Sequence, residues 1–237
     1  MTISPAVAQV LGWLGYGLYF AGPAALFLLA SGRRARRDFN VFALGMATFL
    51  LAWISIDGLL GLLAWLGLAP DQPTLAHSLV FATLAGVFEE SFRYAALGIV
   101  RRSVAVVDWR TVLVYAAGHS GGECMLCALE RTKSAQLAPA ALVADAVYHV
   151  LGAFIVQACF TAVVFRSIER KAIGFLIVAM VWHFWQDMPW TTALGSAGAA
   201  AGLAVSFGLY PCVLVWLLHR WYARKTPRIV VLPTARA

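Results

Sequence analysis

Seven stretches of this chain are apolar for long enough to cross a bilayer, and that property decides the solvent in which it folds. They lie at about 7–30, 41–68, 76–100, 110–130, 139–165, 172–188 and 198–218. In hydrocarbon no water satisfies backbone N–H and C=O groups, so each stretch is expected to be a helix that bonds its own backbone. The expected fold class is therefore all-α, a polytopic integral membrane bundle of about seven transmembrane helices over residues 1–219, followed by a basic cytoplasmic tail at 220–237. Charged residues make up 12% of the chain and hydrophobic ones 62%. An ordinary soluble domain, with about a quarter of its residues charged, is excluded.

The net charge of +7 does not point to nucleic acid, because the basic residues sit in short clusters between apolar runs and form no single face or tail. The bilayer is the partner they imply. With the N-terminus outside, 15 of the 18 Lys and Arg fall on inner segments, among them RRARR at 33–37 and RSIERK at 166–171. Only Arg131 and Lys133 are then outer, and Arg93 lies within a helix. The positive-inside rule thus favours an outside N-terminus and an inside C-terminus. Trp182, Trp185 and Trp190 suit an interfacial belt. The four cysteines all lie in apolar segments, where thiols pack as small hydrophobes, so no disulfide framework is implied. The N-terminus lacks the basic region of a cleavable signal and reads as a retained first helix.

Six of the 11 acids (Asp57, Glu89, Glu90, Glu123, Asp145, Asp187) fall inside these spans. An ionised carboxylate near the bilayer centre costs about 2.5 to 3.5 kcal/mol on insertion scales, so six unpaired ones would be prohibitive. Spacing suggests how they are compensated. Glu89 and Arg93, His119 and Glu123, Asp145 and His149, and His183 and Asp187 are each four apart, one helical turn on a shared face. Glu89, Glu90 and His119 are expected roughly 15 to 18 Å from the cytoplasmic ends of their helices, near mid-membrane. Imidazole and carboxylate are the usual non-thiolate ligands of Zn2+, and a catalytic zinc keeps three protein ligands and one open position. His119, His149 and His183, on three helices, are the candidate ligands, with an adjacent Glu to take a proton from the bound water. Isolated buried acids and histidines in membrane helices also serve as hydrogen-bonding glue, but glue has no reason to concentrate on facing helices.

The segments Glu89-Glu90-Ser91-Phe92-Arg93-Tyr94, Tyr115-Ala116-Ala117-Gly118-His119-Ser120-Gly121-Gly122-Glu123, His149 and His183-Phe184-Trp185-Gln186-Asp187 resemble the YhfC and PrsW branch of the glutamate-dependent intramembrane proteases, relatives of the type II CAAX prenyl proteases. The resemblance covers the third to sixth segments. It implies hydrolysis of a membrane protein or peptide inside a bacterial cytoplasmic (inner) membrane, in some members with a metal. Carried over, Glu89 would be the general base, Glu90 and Arg93 its neighbours, and His119 its partner in activating water. His183 and Asp187 would complete the site as a metal-ligand pair or as donors to the oxyanion. The CAAX proteases place one more residue between the double Glu and the Arg, and PrsW has Lys where Arg93 stands; both departures favour the YhfC-like branch. Gln157 lies closer than His149 to the depth of that branch's histidine.

Gly22-Pro23, Phe92-Arg93-Tyr94 and the interval from Glu169 to His183 also resemble the anterior-pharynx-defective subunit of γ-secretase, a noncatalytic seven-helix scaffold. Two functions are therefore expected to compete, an intramembrane endopeptidase and a scaffold or binding subunit. A cation-coupled transporter is a third, but no inverted repeat accompanies the buried acids.

Overall fold

The computed structural model describes residues 4–31, 35–68, 74–103, 108–134, 138–188 and 209–225. They are helical nearly throughout, with no strand among them. The helices are α1 (Pro5–Ser31), α2 (Ala35–Trp65), α3 (Leu75–Ser103), α4 (Trp109–Ser134), α5 (Pro139–Val147), α6 (Phe154–Arg170), α7 (Gly174–Asp187) and α8 (Tyr210–Lys225). A π-helical segment, Tyr148–Ala153, joins α5 to α6 in one continuous rod.

Local chemistry sets several of the ends. Asp108 caps α4, its Oδ1 accepting from Thr111 N–H at 3.0 Å, and Thr74 Oγ1 accepts from His77 N–H at 3.2 Å at the start of α3. Pro139 opens α5, where its missing N–H leaves no donor unpaired. Lys171 closes α6 in the left-handed region, φ 52°, its N–H bonded to Ser167 O.

Among the described residues, four helical stretches are long and apolar enough to cross a membrane: Ala6–Ser31, Asp38–Trp65, Trp109–Thr132 and the rod Pro139–Arg170. This is a helical membrane protein. The count of four rather than seven has a physical reason. The run of α3 carries Glu89, Glu90 and Arg93 at its centre and Arg101 and Arg102 at its end, while α7 and α8 have 14 and 16 described residues. Most of the expected seventh stretch, 198–218, lies outside the described residues, as do Trp190 and the tail beyond 225. The first part of that tail continues α8 as helix.

α4 is the central element, packed on α1, α2 and α6; α3 lies between α2 and α7, and α8 rests on α6. Burial follows this order, with 67% of the α4 apolar window buried and 22% of that of α1. Trp13, Leu29 and Leu68 stand exposed, as side chains that face lipid can. At Gly118 an added Cβ would sit 1.9 Å from Phe42 O, so α2 and α4 touch backbone to backbone beside His119. Of the expected belt, Trp185 is exposed, but Trp182 stacks on Tyr210 at 4.8 Å and packs edge-on to Phe160.

Candidate functional site

Glu89 and Glu90 sit at the middle of α3, roughly 20 Å from either end by helical rise. Both are buried, and His183 lies within reach of each. Glu89 Oε2 lies 2.9 Å from His119 Nε2 of α4 and 3.7 Å from His183 Nε2 of α7. Glu90 Oε1 lies 2.6 Å from His183 Nδ1. The two adjacent carboxylates thus hold two imidazoles on two other helices. One glycine makes the second contact possible. Gly86 is one turn before Glu90, and an added Cβ there would lie 2.6 Å from Met180 O and 3.1 Å from Phe184 N, the residues bracketing His183.

Arg93, also fully buried, compensates this charge. Its Nε is 3.4 Å from Glu90 Oε2 and its Nη2 is 4.0 Å from Glu89 Oε2. The guanidinium donates to Gln157 Oε1 at 2.5 Å and Gln157 O at 3.2 Å, and to Thr161 Oγ1 at 3.4 Å. It also stands 3.0 Å from His119 Nε2. A ring nitrogen offers one in-plane lone pair or one hydrogen, so Nε2 of His119 either accepts from Arg93 or shares a proton with Glu89.

Three of the four expected pairs along single helices remain within reach, Glu89 and Arg93 among them, and pairs between helices add to them. His183 and Asp187 remain in reach, Nε2 to Oδ2 at 3.5 Å. His119 and Glu123 diverge: His119 turns to Glu89, and Glu123 accepts a hydrogen bond from Gln157 Nε2 at 3.2 Å. Asp145 and His149 stay together at 3.6 Å but belong to a different cluster, with Arg131, Tyr19 and Cys127. Asp57, a further expected buried acid, is exposed.

His119, His149 and His183 do not form one ligand group. Among the described residues, the set of three donors gathered within 4.8 Å of one another is Glu89, His183 and Asp187. His149 is diverted because its Nδ1 lies 3.6 Å from Cys127 Sγ and its Nε2 faces Asp145. Ligands about 2.1 Å from a tetrahedral zinc are about 3.4 Å apart. The separations of His183 Nε2 from Glu89 and Asp187, 3.7 and 3.5 Å, are close to that edge. Glu90 on Nδ1 leaves Nε2 of His183 as the ligating nitrogen, the carboxylate support that metal-bound histidines usually have. These residues fit a divalent cation.

A cavity of about 60 Å³ adjoins the cluster, bordered by His183 and Asp187 of α7, Glu123 of α4, Gln157 of α6, and Tyr148 and His149 of the π segment. Its polar walls and size suit water. Sequence reasoning missed the π segment, Tyr148, Thr161 and Gln186 as parts of the site; apart from Thr161, which sits behind Arg93, they border the cavity. π-turns cluster at functional sites, but six residues reading YHVLGA carry no local signal for one. Thr161 and Gln157, polar residues in the run FIVQACFTAV, were the available hints. No family model, curated protein or solved structure matches this chain.

Proposed function

We propose that this protein is an intramembrane endopeptidase that hydrolyses a peptide bond of a membrane-associated protein or peptide. The observation that carries the proposal is the Glu89–His119 contact of 2.9 Å at mid-helix, which His183, 3.7 Å from Glu89, links to a polar cavity large enough for water. The pair takes the proton from the attacking water, with Glu89 as the carboxylate and His119 as the imidazole that shares its proton. Arg93 sets a cation against the pair, its Nη2 3.0 Å from His119 Nε2 and 4.0 Å from Glu89 Oε2. His183, held by Glu90, and Asp187 face the reacting carbonyl from α7.

Zn2+ belongs to the proposal as a cofactor that His183 and Asp187 would hold beside Glu89, whose carboxylate stays with His119 as the base; when bound it would polarise the carbonyl or the water. Seven membrane crossings with the N-terminus outside, and a place in a bacterial cytoplasmic membrane, complete it. The orientation rests on the Lys and Arg asymmetry and the location on the family resemblance.

The test is cleavage of membrane peptides by the purified protein in liposomes. Wild type is expected to cleave, and Glu89→Gln, nearly isosteric, to lose about 10²- to 10⁴-fold in rate while remaining folded. Equal cleavage by Glu89→Gln and His119→Ala would remove the catalytic assignment. One observation favours a scaffold as the second reading: the carboxylates, imidazoles and guanidinium interlock α3, α4, α6 and α7. A scaffold keeps partner assembly and cellular function in Glu89→Gln; a hydrolase does not.

A further inference from the structure

We infer that Glu123 is the proton donor to the departing amine and that Gln157 is the positioning residue that holds it; this rests on the hydrolytic function proposed above. The Gln157 amide can be oriented from its neighbours alone. Arg93 has only donors, so the atom 2.5 Å from Nη2 is the Gln157 oxygen. The amide nitrogen therefore faces Glu123 and donates to its Oε2 at 3.2 Å. That bond makes Oε2 an acceptor, and leaves Oε1 of Glu123 as the oxygen that carries and releases a proton.

Glu123 borders the same cavity as His183 and Asp187. Peptide hydrolysis needs an acid as well as a base, because an amide anion is too basic to leave unprotonated. The reaction then closes. Water adds to the carbonyl carbon as its proton passes to the Glu89–His119 pair. The C–N bond breaks as the Glu123 proton moves to nitrogen, and the water oxygen stays in the new carboxyl group. The proton held at Glu89 and His119 returns to the Glu123 carboxylate by way of His183, which lies 3.7 Å from Glu89 and borders the cavity, so peptide and water have become acid and amine. Arg93 ties both ends together, since it contacts the base pair directly and Glu123 through Gln157.

The experiment uses the full-length protein in liposomes with two substrates that share an acyl part: a peptide the wild type cleaves, and the corresponding aryl ester. The ester's phenolate leaves without needing a proton. Glu123→Gln is expected to lower kcat/KM on the peptide by about 10²-fold or more and to leave the ester rate unchanged. Gln157→Leu is expected to lower the peptide-to-ester ratio in the same direction by a smaller factor, whereas Glu89→Gln loses both rates. An equal fall on both substrates in Glu123→Gln, or no fall on either, overturns the inference while leaving the hydrolase intact. A wild-type protein that cleaves neither substrate overturns the hydrolase itself.

Discussion

Arg93 is the largest fully buried side chain among the described residues, and it is a cation in the middle of an apolar bundle. Its fork faces two carboxylates and spans Gln157 and Thr161, a geometry an ammonium group does not reproduce. Removing one member of a buried charge network leaves the others uncompensated, at a cost of about 3 to 5 kcal/mol. Arg93→Met is therefore expected to lower stability in detergent by about that much in a denaturant titration. Arg93→Lys, which keeps the charge and loses the fork, should fall between the two. Equal stability of all three proteins would mean that Arg93 does not compensate the two carboxylates. At this scale the sequence was informative about which residues gather and less so about whom they touch. One-turn spacing marks Glu89, His119 and His183, but a side chain in a helix core can reach across to a neighbouring helix. Glu89 to His119 and Glu90 to His183 are such contacts, and spacing within one segment contains neither.

At the scale of the element, small residues set how near the helices come. Gly86 lets α3 lie against the α7 backbone at Met180 and Phe184, and the Glu90–His183 contact depends on that approach. Gly86→Ala should force the helices apart, destabilise the fold by about 1 to 3 kcal/mol, and reduce hydrolysis along with stability. Activity unchanged at full stability would show that α7 can shift without disturbing His183. The π segment is the other controlling element. Its wider turn changes the face presented along the rod, so Asp145 and His149 engage α1 and α4 while Gln157 and Thr161 meet Arg93. Hydrophobic period marks the rod over 139–165, but an extra residue in one turn leaves no trace in composition, and His149 was therefore expected beside His119 and His183.

For the whole molecule, lipid is the solvent that makes the exposed apolar side chains tolerable and the buried polar ones costly. The helices were legible because the apolar runs are long. Four crossings stand out by length and hydropathy among the described residues, and the other three expected spans do not, because the residues that build the site interrupt α3 with charge, α7 is short and most of 198–218 lies outside the described residues. Orientation can be tested directly with cysteines placed at Ser4 and Arg102 in a background lacking other reactive thiols. An impermeant thiol reagent is expected to label Ser4→Cys in intact cells and Arg102→Cys only after permeabilisation; the reverse pattern would invert the topology. The central claim is that water attacks a peptide carbonyl at the Glu89–His119 pair. Cleavage of a membrane peptide by the liposome-embedded protein in ¹⁸O-water, read by mass spectrometry, tests it most directly. The account predicts one ¹⁸O in each newly formed carboxyl group with wild type and no product with Glu89→Gln; cleavage at equal rate by Glu89→Gln, or product without ¹⁸O, would contradict it.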